Sequence, residues 1–226
     1  MQITYFGHSC FHIQIEGINL LFDPFITPNP LAANININTI QADYILVSHA
    51  HNDHTADLLH IAERTNATVI GIWEVHIWLQ KMGIPNTHPM NIGGSWKFDF
   101  GTVKMVNAVH SSSFPDGSIG GSPAGFVIDT KDGKFYYAGD TALHHDMKIL
   151  GKYHKIDFAF LPVGDNFTMG VTDALIASKF IKCDTVIGMH YDTFGFIKID
   201  HDEAKRKFKD EEKKLILMKI EDTMEM

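Results

Sequence analysis

Cysteine is scarce in this chain, with only Cys10 and Cys183 among 226 residues. Two thiols do not make the disulfide framework that holds a small secreted domain together. Both read as small core residues, the usual setting of free cysteine. Long apolar runs are also missing, and none approaches the length that spans a bilayer. The opening Met1-Gln2-Ile3-Thr4-Tyr5-Phe6 has no basic start followed by an apolar stretch. It reads as a strand, so a soluble cytoplasmic protein without membrane contact is expected. Positive charge is in short supply, with 19 Lys and Arg against 27 Asp and Glu and a formal net charge of −8. That balance argues against a general nucleic-acid binder, since such binders favour basic surfaces. There is no linker rich in proline or glycine and no low-complexity block, so one domain covering residues 1–226 is expected.

What is present is organised in two loosely similar halves. Short strands at Ile3–Phe6, Phe11–Ile15 and Ile18–Phe22 suggest an antiparallel meander. A loop over Thr27–Asn38 leads to a strand at Tyr44–Val47, a helix from about Thr55 to Thr65, a strand at Thr68–Ile72 and a helix at Glu74–Lys81. The second half has strands at Trp96–Phe100, Thr102–Ala108, Ala124–Asp129 and Lys134–Ala138, and a short helix near Leu143–Leu150. It continues with strands at Phe158–Pro162, Thr185–Gly188 and Leu215–Met218 and helices near Thr172–Ile181 and His201–Lys213, then a ragged acidic tail. Two packed β-sheets with helices outside both would bury these faces.

One segment stands apart chemically. His49-Ala50-His51-Asn52-Asp53-His54 follows the apolar run Tyr44–Val47 and precedes a helix-forming stretch. Nitrogen and oxygen donors gathered this tightly suit a borderline divalent cation such as zinc. Extended backbone sends His49 and His51 to one side, while Asp53 and His54 sit where the chain turns into the helix. One cluster can therefore feed two neighbouring ions. Further donors are needed, and His110, Asp140 and His190 each stand where an apolar strand gives way to a loop.

With these residues in view, the chain resembles the metallo-β-lactamase-fold hydrolase superfamily. The likeness rests on His49-x-His51-x-Asp53-His54, His110, Gly139-Asp140-Thr141 and His190, and covers nearly the whole chain. It implies an α/β fold, a four-layer αββα sandwich of two mixed sheets with helices on both outer faces. By the same resemblance His49, His51 and His110 would hold one metal, Asp53, His54 and His190 a second, and Asp140 would bridge them. Zinc is the expected ion, with manganese and iron as alternatives. A hydroxide between the two metals would be the nucleophile, with its pKa lowered from about 15.7 toward about 7. Asp53 would orient it.

Gly7-His8-Ser9, Asp23-Pro24-Phe25 and Gly164-Asp165-Asn166-Phe167-Thr168-Met169-Gly170 carry a narrower likeness. These segments are similar to those of small bacterial and archaeal metal-dependent hydrolases, the ascorbate-6-phosphate lactonase branch and, more distantly, N-acyl-phosphatidylethanolamine phospholipases. The expected function is hydrolysis of a small-molecule lactone, ester, amide or phosphoester. The alternatives are a phosphodiesterase or nuclease of the same fold and a non-catalytic metal-stabilised binding protein. The redox branch of the superfamily typically carries Glu at the position of His51, which favours hydrolysis here. His8 has two readings, a catalytic donor to substrate or a histidine that fastens its turn. Asp23 is either an acceptor that orients a ligand imidazole or a turn former. Asn166, Thr168 and Met169 are expected in the substrate-pocket wall, and Gly120-Gly121 in a flexible turn at the rim. A homo-oligomer is suggested by the family likeness.

Overall fold

Alternating burial shapes the first three strands of the computed structural model, which describes residues 1–226. In β1 (Gln2–Gly7), Ile3 and Tyr5 point inward while Gln2 is exposed. β2 (Cys10–Ile15) buries Phe11, Ile13 and Ile15. Glu16 and Gly17, both with positive φ, turn the chain into β3 (Ile18–Phe22), which pairs antiparallel with β2. Such paired positive φ values match the twist of a two-residue hairpin. The parallel strands β4 (Tyr44–Leu46), β5 (Thr68–Ile72) and β6 (Thr87–Met90) extend this sheet on one side.

The second half repeats the scheme. β7 (Ser95–Phe98), β8 (Gly101–Asn107), β9 (Ala124–Thr130) and β10 (Gly133–Tyr137) run antiparallel. β11 (Phe158–Pro162), β12 (Thr185–Met189) and β13 (Lys214–Ile216) then add in parallel. With β14 (Thr223–Glu225) at the free edge of β1, each sheet has seven strands, in the orders β14-β1-β2-β3-β4-β5-β6 and β13-β12-β11-β10-β9-β8-β7.

The sheets meet through aromatic side chains. Phe11 of β2 lies 4.6 Å from Phe160 of β11, and Phe22 of β3 lies 4.7 Å from Tyr137 of β10, centroid to centroid. Helices cover the outer faces: α3 (Trp73–Lys81) packs on β5 and β6, α5 (Val171–Phe180) on β11 and α6 (His201–Asp210) on β13. α2 (Leu58–Thr65) buries Leu58, Ile61 and Ala62, one stripe at helical spacing. α4 (Met147–Tyr153) bridges β10 and β11 in sequence. The layers are those of the αββα sandwich. No helix is long and apolar enough to cross a membrane.

Several boundaries differ from expectation for identifiable reasons. The helix expected over Thr55–Thr65 is split into α1 (Asn52–Thr55) and α2. Asp57, at φ −102° and ψ 4°, breaks it, and its Oδ2 accepts the backbone N–H groups of Ile26 and Thr27 at 2.6 and 2.8 Å. The loop over Thr27–Asn38 contains a 3₁₀ turn at Pro30–Ala32, and a second begins at Ile37. The helix expected at Leu143–Leu150 begins only at Met147 and runs to Tyr153. The acidic tail is not ragged, since Thr223–Glu225 pairs antiparallel with Gln2–Thr4.

Candidate metal centre

The donor residues gather at one rim of the sandwich, most of them at strand ends, with Asp53 and His54 on the short helix α1. His49 and His51 follow β4, His110 follows β8, Asp140 follows β10 and His190 follows β12. The structure gathers them into overlapping groups: His49, His51 and His110; His8, Asp53, His54 and His190; and His49, His54 and Asp140. Within each group one donor atom per residue lies within 4.8 Å of every other. His49 Nε2 and His51 Nδ1 are 3.0 Å apart. Asp140 Oδ2 lies 3.0 Å from His190 Nε2, 3.4 Å from His54 Nε2 and 3.6 Å from His110 Nε2. It therefore touches both histidine groups. A tetrahedral zinc with Zn–N distances of about 2.0–2.1 Å would separate its ligand atoms by about 3.3 Å. The observed spacings bracket that value.

Asp23 explains why two of these imidazoles face inward as acceptors. It is fully buried, and its Oδ1 accepts the Ser48 N–H at 2.7 Å. Its Oδ2 accepts the Ser48 hydroxyl at 2.6 Å and His54 Nδ1–H at 2.8 Å. The Tyr137 hydroxyl also lies 2.8 Å from Oδ2. With its proton given to Asp23, Ser48 Oγ accepts His49 Nδ1–H at 3.0 Å. Both rings thus keep Nδ1–H turned to these acceptors and aim Nε2 at the centre, as a lone pair on His49 and, once its second proton is displaced, on His54. A carboxylate that fixes the tautomer of a ligand histidine is the usual partner of a metal site. Sequence left Asp23 open between this role and a turn, and the structure gives it the orienting contacts. Ser48 and Tyr137 were not legible, because their polar atoms lie among residues that otherwise read as apolar strand.

Three buried polar atoms of the cluster's residues have no hydrogen-bond partner: His54 Nε2, Asp140 Oδ1 and His190 Nδ1. Buried polar atoms are costly to leave unpaired, and a cation in place of the His54 proton satisfies His54 Nε2 and Asp140 Oδ1 together. The donor set therefore fits a divalent ion. Electrostatics point the same way. Burial opposes charge on His190, but Asp140 and Asp53 outweigh it and push its pKa up to about 9. His54 is likewise raised despite burial, chiefly by Asp140 and Asp23. Burial would raise the Asp140 and Asp53 carboxyls, yet the neighbouring histidines hold both well below the usual range. His49 is pushed down by burial and by His54, which keeps its ring neutral.

These directions set a proton count for metal loading. Near neutral pH, His54 and His190 carry protons that a cation must displace, so metal affinity rises with pH until the raised pKa values are passed. Calorimetry in buffers of different ionisation enthalpy is expected to show about two protons released at pH 7, with affinity rising about two decades per pH unit. Release of no proton would mean that these rings are not ligands.

His8 sits behind Asp53 and is 1% exposed. Its Nε2 is 3.1 Å from Asp53 Oδ2 and its Nδ1 is 3.0 Å from Thr193 Oγ1. Burial and the nearby His190 lower its pKa to about 4, so the ring is neutral and unsuited to supply a proton near pH 7. His8 (φ 56°), Asp23 (φ 42°) and His190 (φ 57°) all adopt the left-handed backbone. That conformation costs roughly 1–2 kcal/mol per residue, and strain of this kind collects at functional sites.

Above the donors lies a cavity of about 710 Å³. His51, Asp53, His110, Asp140 and His190 form its floor. Asn166, Thr168 and Met169 do not line it. Met169 is buried in the core, with its N–H bonded to the Thr141 carbonyl, and Asn166 lines a separate cavity. Phe167 is the residue of that loop that reaches the metal cavity, joined by Phe194 and Phe196. Phe167 lies in the quoted Gly164–Gly170 segment without being singled out there, and no sequence pattern pointed to Phe194 or Phe196. Gly120 is not a free turn either, since a Cβ there would lie 2.3 Å from Ala50 Cβ. Gly139, at φ 60°, lets the backbone before Asp140 approach Ser48, where a Cβ would meet Ser48 Cβ at 2.8 Å.

This fold and rim of donors define a metal-dependent hydrolase of the metallo-β-lactamase type. The chain belongs to the β-lactamase superfamily, whose domain model matches residues 18–191. It is 54% identical to a UPF0173 metal-dependent hydrolase of Flavobacterium johnsoniae over 226 residues, the full length of both. It is 52% identical to another from Christiangramia forsetii, again over all of both chains. Among solved structures it is similar to Igni18, a metallo hydrolase of the archaeon Ignicoccus hospitalis. That likeness has 34% identity and a TM-score of 0.89, covering 100% of this chain and 98% of the other.

Proposed function

We propose that the protein is a two-metal hydrolase that cleaves a lactone, ester, amide or phosphoester in a small molecule. The observation that carries this reading is Asp140 Oδ2, within 3.6 Å of imidazole nitrogens from both histidine groups. His49, His51 and His110 would hold one ion, and Asp53, His54 and His190 the other, with Asp140 shared between them. When bound, such a pair would activate water as nucleophile and polarise the scissile bond, most readily as zinc, with manganese or iron as further fits.

The chain's own groups do the remaining work. Asp53 is the one carboxylate on the cavity floor that is partly exposed, with 26% of its side chain open, and it faces an incoming substrate. It accepts from the attacking water and orients it, and its histidine neighbours keep it ionised. His8 steadies Asp53 from behind, with Nε2–H donated to Oδ2 and Nδ1 in contact with the Thr193 hydroxyl. It is a positioning residue rather than the acid for the leaving group. The buried Asp23 keeps the Nε2 lone pairs of His49 and His54 turned toward the ions.

The test is a chromogenic panel of lactones, esters and a phosphodiester, assayed before and after chelator treatment. Turnover is expected to disappear with chelator and to return on adding about two equivalents of zinc or manganese. Turnover that survives complete metal removal would contradict the reading.

A further inference from the structure

Resting on the two-metal reading above, we propose that the cavity selects an uncharged substrate bearing an aromatic group, gripped by Phe167, Phe194 and Phe196. Phe167 comes from the loop after β11, and Phe194 and Phe196 from the loop after β12, yet all three converge on one wall of the cavity. Phe167 is 51% exposed and Phe196 77% exposed, and their rings meet edge to face at 6.3 Å between centroids. Large apolar rings left bare side by side mark a binding surface. Phe194 is better held, with its ring 5.3 Å from His8 and 6.2 Å from Phe25. One ring is therefore anchored to the donor cluster and two can adjust. An aryl group between them gains apolar burial and ring contacts.

Charge narrows the choice. No Lys or Arg lines the cavity, so positive charge there would come only from ions on its floor. Lys198 and Lys207 line a second cavity of about 560 Å³ that shares only Phe196 with the first. There they face Asp165, Asp173, Asp200 and Glu203, so that neighbour offers no surplus of positive charge. A carboxylate or phosphate remote from the reacting bond would be desolvated against phenylalanine without a fixed counter-charge. The reacting group meets the ions, and the rest of the molecule meets carbon. At about 710 Å³ the space admits a ring-bearing molecule of ordinary ligand size.

The test titrates zinc-loaded protein with acetohydroxamate, benzohydroxamate and 4-carboxybenzohydroxamate by calorimetry. The hydroxamate head chelates metal whichever bond the enzyme cuts, so the reading is independent of turnover. Benzohydroxamate is expected to bind about tenfold more tightly than acetohydroxamate, and the carboxylated analogue about tenfold more weakly than benzohydroxamate. In the Phe167→Ala/Phe196→Ala double variant the aromatic preference falls to about twofold, while acetohydroxamate affinity holds. Equal binding of all three probes, or tighter binding of the carboxylated one, overturns the proposal and leaves the two-metal reading standing. A double variant that keeps its preference but changes molar mass in the ultracentrifuge also overturns it, because the rings would then cover a second copy. No binding by any probe contradicts the two-metal reading and the proposal with it.

Discussion

Asp140→Asn is expected to lower turnover by about three orders of magnitude or more and to leave fewer than two ions per chain. An amide keeps the shape of the side chain but not its charge, and Asp140 Oδ2 is the atom that faces His54, His110 and His190 together. Lewis-acid assistance by metal is worth several kcal/mol, and about 1.4 kcal/mol corresponds to tenfold in rate. Losing one ion therefore costs several factors of ten. Elemental content and turnover of the same preparation check the result. Asp53→Ala serves as the control, because it leaves His49, His51 and His110 untouched and should retain one ion. An Asp140→Asn protein with two ions and turnover within about tenfold of the parent would remove Asp140 as the bridge.

Asp23→Ala should show the second large effect, in both stability and metal affinity. The carboxylate is wholly buried and accepts from Ser48 N–H, Ser48 Oγ and His54 Nδ1, with the Tyr137 hydroxyl also in contact. Breaking a buried pair by deleting one member costs about 3–5 kcal/mol. For a chain of this length that corresponds to a Tm lower by roughly 10–15 °C. Metal affinity is expected to fall about 10–100-fold as His49 and His54 lose their fixed tautomers. Asp23→Asn separates the two effects. Its amide preserves the volume and recovers part of the stability, but presents the wrong group to His54 Nδ1–H, so affinity stays low. Full recovery of metal affinity in Asp23→Asn would reduce Asp23 to a packing role.

The residues gathered into the candidate centre were legible in sequence because ligand chemistry restricts residue type. Few roles other than metal binding place His49, His51, Asp53 and His54 in six residues, and His110, Asp140 and His190 each punctuate the end of an apolar strand. The strand–helix rhythm was legible for the same physical reason, since buried faces impose their period. What escaped depends on contacts across the fold. Tyr137 reaches Asp23 from a strand 114 positions away, and nothing in Phe135-Tyr136-Tyr137 distinguishes one hydroxyl from its neighbour. β6 was missed because Thr87-His88-Pro89-Met90 is short and contains a proline, tolerated here on the edge of its sheet. β14 was missed because three residues on an exposed edge are too few for their alternation to be told from a polar tail. Asn166, Thr168 and Met169 were expected in a pocket wall, but of their loop only Phe167 lines the cavity above the donors. Backbone turns at Asp165 and Asn166, both at positive φ, expose Phe167 and leave Met169 buried.

The most direct measurement is an anomalous difference map, collected at the zinc edge, from crystals of zinc-loaded protein. Two peaks roughly 3.5–4 Å apart are expected. One should lie against His49 Nε2, His51 Nδ1 and His110 Nε2, the other against Asp53, His54 Nε2 and His190 Nε2, with Asp140 reaching both. A lone peak, or peaks held by other side chains while these seven stand free, would contradict the account.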